Sequence, residues 1–156
     1  MYSTSSYVTR TLVAFVFFSI TASRADSYKG PTPPAVYTQE CSSCHLAFPP
    51  NLLPKVSWQR VMNGLDKHYG SDASIEPAQV QQIGAWLQAN AGTYKRVREE
   101  PADDRITRSA WFSRKHREVE ASVWKCASVK SAAQCSACHT RADEGNFDEH
   151  QVRIPR

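Results

Sequence analysis

Methionine is nearly absent from this chain: Met1 and Met62 are the only two in 156 residues. Any thioether sulfur that binds a metal or fills a core must therefore come from Met62 once the first residue is gone. Also missing is an apolar run long enough to cross a bilayer, which takes about 20 residues; the longest candidate, Thr11 to Ile20, has about half that length. No segment alternates apolar and polar residues convincingly, which argues against a sheet protein. Nothing repeats along the chain beyond one pentapeptide. What these absences leave is a mainly α fold of modest size.

The short apolar run has a more specific reading. Arg10 precedes it, Leu12, Val13, Phe15, Val16, Phe17 and Phe18 fill it, and Ser23-Arg24-Ala25 follows with small residues at a cleavage position. Residues 1–25 are thus expected to be a secretory signal peptide, with a mature chain that begins at Asp26 and spans no membrane. Loss of Arg10 and Arg24 takes the formal charge from +4 to +2.

Five cysteines are present, and four of them fall in the repeated pentapeptide, Cys41-Ser-Ser-Cys44-His45 and Cys135-Ser-Ala-Cys138-His139. Cys-x-x-Cys-His is the attachment signature of c-type haem. On a helical turn, residues three and four apart share a face, so both thiols reach one porphyrin edge while the histidine swings over the iron. Two covalently bound haem c groups are expected. Export to an oxidising space makes disulfides an alternative, and paired Cys-x-x-Cys is also a zinc pattern. Neither explains a histidine directly after each pair, and about 90 residues between the pairs suit two sites better than one zinc cage. Four haem propionates, each usually ionised, would bring the reduced holoprotein to a charge of about −2. The basic balance of the bare sequence therefore does not point to nucleic acid.

Residues 26–94 carry four basic and five acidic groups, and residues 95–156 carry thirteen and ten. The strongly charged stretch from Thr93 to Asp104 places a junction between two small haem-binding domains, 26–94 and 95–156. In the first, a helix runs from Ala35 into Cys41. Pro49, Pro50 and Pro54 then forbid regular helix. Amphipathic helices follow over residues 57–69, with Trp58, Val61, Met62 and Leu65 on one face and Ser57 as N-cap, and over residues 77–91, with Val80, Ile83, Trp86 and Leu87. The second half is irregular, with few short helices. One helix is expected over residues 113–119.

Each attachment turn supplies one axial ligand, so the opposite face of each iron decides the chemistry. The candidates are few: Met62, His68, His116 and His150. Met62 lies in the apolar stripe and reads better as core. His68 ends the same helix beside Gly70, and is preferred for the first haem. For the second, His116 follows Trp111-Phe112 in sequence, whereas His150 sits in Asp148-Glu-His with little apolar support. His116 is preferred, with His150 the alternative. Two histidines on an iron leave no vacant position and favour the ferric state, which suits electron transfer at low potential.

With these residues in place, the chain resembles the dihaem cytochrome c family of bacterial periplasmic electron carriers. The resemblance rests on both pentapeptides, Met62-Asn-Gly-Leu-Asp-Lys-His68-Tyr-Gly70, Ile106-Thr-Arg-Ser-Ala-Trp111-Phe-Ser-Arg-Lys-His116-Arg-Glu118, Val123-Trp124, Val129-Lys-Ser131, and the tail with Gly145, Phe147 and Val152-Arg-Ile-Pro155. It implies a first domain like class I cytochrome c, its attachment helix packed on the helix with Trp86, and a second domain of less usual fold. It also implies bis-histidine ligation by His45 with His68 and His139 with His116. The implied partners are a small periplasmic mono-haem c-type cytochrome as electron acceptor and a membrane b-type cytochrome as donor. Cys126 departs from the family pattern and reads as an inert or partly buried thiol. A competing reading is a dihaem enzyme or gas sensor, peroxidase-like, with one labile sixth ligand.

Overall fold

Prolines 31, 33 and 34 keep the chain extended until Ala35, where helix α1 (Ala35–Cys41) begins. The computed structural model describes residues 30–155, so the signal peptide read over residues 1–25 lies outside the described residues. Tyr37 is the buried side chain of α1. Its hydroxyl donates to the Phe48 carbonyl at 2.6 Å.

Three prolines break the next stretch into a single 3-10 turn at Pro50–Leu52. Helix α2 (Lys55–Asn63) follows. Pro54 precedes its first residue, a position where a missing N–H costs nothing. Ser57 is therefore not the N-cap that the sequence suggested but a fully buried residue inside the helix. The helix also ends well before residue 69, at Gly64, and a separate 3-10 turn (Leu65–Lys67) carries the chain to His68. Glycine is a poor helix former, and its presence there splits the expected helix in two. Helix α3 (Pro77–Ala89) starts with proline in its first turn, and the Gln79 side chain accepts from the Glu76 backbone N–H at 3.2 Å. Asn90 ends it, donating from both backbone and side chain to the Trp86 carbonyl.

Tyr37, Leu53, Trp58, Met62, Ile83 and Leu87 form one buried cluster between α1, α2 and α3. The Trp58 indole N–H donates to the Pro50 carbonyl at 2.6 Å, which ties the proline loop to α2. α1 packs on α3 through Tyr37 and Trp86, whose rings lie 4.8 Å apart. This is the helix pairing that the resemblance implied.

Residues 95–105, at the junction read from the sequence, pack back onto the first half. Val97 is 2% exposed, and Arg60 of α2 pairs with Glu100 and with both oxygens of Asp104 at 2.6–2.7 Å. Gly92 makes the turn into this segment possible. A Cβ there would lie 2.2 Å from Val97 Cγ2 and 2.5 Å from the Asn51 carbonyl oxygen. The Asn51 carbonyl sits in a loop pinned on both sides, so it yields little. We expect Gly92→Ala to destabilise the protein by roughly 3 kcal/mol, the upper range for an overpacked site, measured as a lower denaturant midpoint. An unchanged midpoint would show that this segment moves aside freely.

Beyond residue 105, helix α4 (Ala110–Lys115) is the only α-helix among the described residues. It starts three residues earlier than the sequence suggested because Ser109 caps it, accepting from the Phe112 N–H at 3.3 Å. It stops at His116. Single 3-10 turns make up most of the remainder, at 106–108, 123–125, 135–137, 142–144 and 149–151. Few large apolar side chains are buried here; Phe112 and Val129 are the main ones. Among the described residues there is no strand, only isolated bridges at His68–Ser71 and His139–Val152. No helix among them is long and apolar enough to cross a membrane.

Candidate functional site

The end of α1 delivers Cys41, and the turn after it delivers Cys44 and His45. The His45 Nδ1 lies 2.7 Å from the Leu46 carbonyl and donates to it, which leaves the Nε2 lone pair for another partner. Across from His45 stands His68, carried by the 3-10 turn after α2. Their ring centres are 6.0 Å apart with planes 23° from parallel. Phe48 stacks on His45 at 4.9 Å. Burial, then the neighbouring His45 and Arg105, hold His68 below the usual imidazole range, so it is neutral, the form that donates to a metal. The Cys41 thiol is pushed up to about 11, by burial and then by Glu40.

The second site is built from different local structure. A 3-10 turn presents Cys135, and the His139 N–H donates back to the Cys135 carbonyl at 2.8 Å. The tail closes over the turn, with the Arg153 N–H on the Cys138 carbonyl at 2.9 Å. His116, at the end of α4, faces His139 at 6.1 Å with planes 79° apart. The His116 Nδ1 donates to the Phe112 carbonyl at 2.9 Å, and its ring stacks on Phe112 at 4.0 Å. Trp124 and Phe147 complete the aromatic wall, at 5.8 Å from His116 and 5.4 Å from His139. Burial raises the Cys135 thiol to about 11 and lifts Cys138 less. His139 is held low by burial and then by His116.

Two imidazoles bound to one metal from opposite sides have ring centres roughly 6 Å apart, given about 2 Å for each metal–nitrogen bond. Both pairs meet that spacing. Each pair provides only two donors, and among the described residues no three His, Cys, Asp or Glu side chains converge as a bare ion would require. The metal that fits must bring its remaining ligands with it, as porphyrin iron does. Buried Trp111 Nε1 has no partner in the protein, as expected where a bound group supplies an acceptor. All four pentapeptide cysteines are unpaired thiols, the state needed for thioether formation.

The remaining candidates fall elsewhere. His150 is exposed, and Met62 is buried among the core side chains beside Gly84. Cys126 is half-buried with its Sγ 3.2 Å from the Ser128 hydroxyl, which draws its pKa down. Sequence reading offered Phe112 as apolar cover for His116 but missed the ring contacts of Phe48 with His45 and of Phe147 with His139, and the two carbonyls that orient His45 and His116. An aromatic three residues after His45, and four before His116, was the available signal.

The family model for dihaem cytochrome c matches residues 37–147. No curated protein matches. Among solved structures, a dihaem cytochrome c from Shewanella baltica is 38% identical, covering 78% of this chain and 92% of that one, with a TM-score of 0.68. Dihaem cytochrome c from Rhodobacter sphaeroides is 38% identical over 72% of this chain and 94% of its own, with a TM-score of 0.64. A second Rhodobacter sphaeroides structure gives 37% identity, 74% and 98% coverage, and a TM-score of 0.65. Two histidine pairs at metal-bridging distance, each next to an attachment pentapeptide, and this likeness over most of the chain have one account: the protein belongs to the dihaem cytochrome c family, an electron-transfer protein with two haem c groups.

Proposed function

We propose that this protein is a periplasmic carrier of single electrons in which both irons are closed by two histidines. Cys41 and Cys44 would anchor the first haem, with His45 and His68 holding its iron. Cys135 and Cys138 would anchor the second, with His139 and His116. The observation that carries this reading is the matched ring separation of the two pairs, 6.0 and 6.1 Å. The haems supply the redox chemistry, cycling between ferric and ferrous iron.

The chain's own residues set how that chemistry runs. Carbonyls of Leu46 and Phe112 accept the Nδ1 protons of His45 and His116, which fixes their tautomers and makes each imidazole a stronger donor. Stronger donation favours the ferric state, so the potentials are low. Phe48, Phe112, Trp124 and Phe147 keep water from the rings. With no open axial position, the protein passes electrons and is not an enzyme. The proposed acceptor is a small mono-haem c-type cytochrome of the same compartment, and the proposed donor a membrane b-type cytochrome. The more basic second half, thirteen basic against ten acidic groups, offers a docking face for an acidic partner.

Denaturing gel electrophoresis and mass measurement of the mature protein test the attachment. Haem colour is expected to travel with the chain, at a mass two haems above that of the polypeptide beginning at Asp26. One haem, or colour that runs free, refutes the assignment of the four cysteines. Reduced protein is expected to keep its visible spectrum under carbon monoxide; a marked shift would favour a peroxidase-like enzyme or gas sensor instead.

A further inference from the structure

The second half of the chain reaches back to the turn that holds His68. Four non-glycine residues among those described have left-handed backbone, and three of them meet here: Tyr69 (φ 53°), Asp103 (φ 55°) and Asp104 (φ 54°). Such conformations are disfavoured for residues with a Cβ and persist only where the surroundings enforce them. Gly70 follows with φ 100°, and a side chain added there would meet open space.

The enforcing contacts are specific. The Arg105 guanidinium lies over the Tyr69 ring, 4.0 Å from its centre. The Tyr69 hydroxyl donates to the Asp104 carbonyl at 3.1 Å. Asp104 is in turn held by Arg60 through both carboxylate oxygens, and Arg108 pairs with Asp103. The Tyr69 ring lies 4.8 Å from the His68 ring. A cleft of about 220 Å³ lined by Arg60, His68, Tyr69, Asp103 and Asp104 lies where these segments meet.

We propose that Tyr69, Asp104 and Arg105 form a clamp that fixes the ring orientation of His68, so that residues from the second half position the sixth ligand of the first haem. This rests on the bis-histidine reading above. Backbone bonds and Leu65 on the core hold the start of the turn that carries His68, with the Ala73 N–H on the Leu65 carbonyl at 2.8 Å, but the His68 ring itself has no carbonyl comparable to those that orient His45 and His116. Its orientation is supplied from Tyr69, and that of Tyr69 from Arg105 and Asp104. These three are positioning residues: none of them touches the metal.

The test compares Arg105→Ala, Arg105→Lys and Tyr69→Phe in the holoprotein, read by the ferric electron paramagnetic resonance spectrum, carbon monoxide uptake after reduction, and the thermal melt. Arg105→Ala is expected to shift and broaden the signal of the first haem only, and to raise the carbon monoxide-reactive fraction of that haem about threefold, the factor that a solvent-exposed cation–π contact carries. Arg105→Lys restores both, since it keeps a cation over the ring. Tyr69→Phe, a milder change, keeps the ring contact but drops the bond to Asp104, and shifts the signal less. If Arg105→Ala lowers the melt so far that it does not fold, Tyr69→Phe decides alone. An unshifted first-haem signal in the folded variants overturns the clamp. His68→Ala is the control: if it leaves both haems closed to carbon monoxide, the ligation reading has failed rather than the clamp.

Discussion

Replacing His116 with alanine is expected to open the second haem to carbon monoxide completely while the first stays closed, and His68→Ala to do the reverse. The contrast is close to all-or-none because an iron with histidine on both faces has no place for a gas, and an iron with one face bare does. His116 faces His139 at 6.1 Å, and the ring is fixed by the Phe112 carbonyl at 2.9 Å and by stacking at 4.0 Å. No other histidine stands behind it, since His150 is exposed. Met62 is equally unable to replace His68, being packed in the core against α3. The measurement is a reduced-minus-carbon-monoxide difference spectrum, titrated to one equivalent per chain. Full closure in His116→Ala together with opening in His150→Ala would transfer the second ligand to His150.

The two irons should also differ in a way visible without any substitution. Each imidazole donates from its filled π orbital into the iron d orbital that lies across its own plane. When two planes are nearly parallel, as for His45 and His68 at 23°, both donate into the same orbital and split it from its partner. When they are nearly perpendicular, as for His116 and His139 at 79°, the two orbitals are raised together and stay close in energy. The ferric protein is expected to give two low-spin resonance signals of equal spin count, one ordinary and rhombic, the other strongly anisotropic with a single prominent low-field feature. Loss of the anisotropic signal in His116→Ala, and of the rhombic one in His68→Ala, would assign them. Two rhombic signals of the same shape would show that the perpendicular arrangement does not persist once the haem is bound.

How much of this was legible beforehand depended on the range of the interactions. The pentapeptides, the proline break and the three helices of the first half are local, and spacing alone reveals them. Helix ends were less legible, because Gly64 and Ser109 compete with the periodic pattern over one or two residues. The apolar neighbours of His116 in sequence are legible locally, and in space Phe112 and Trp124 wall its ring. The junction at residues 95–105 was the blind spot. Its charges marked a boundary and nothing more, yet Arg60 meets Asp104 across 44 residues and Val97 is buried beside Gly92. No periodicity links partners so far apart.

Residues 106–155 hold themselves together with one short helix, a series of single turns and few buried large side chains. Burial on that scale is too small to offset the entropy of fixing the chain. A polypeptide that never receives its second porphyrin would present an open carboxy-terminal segment to proteases. Cellular abundance of the protein would then follow iron and haem supply after synthesis, with no transcriptional control required.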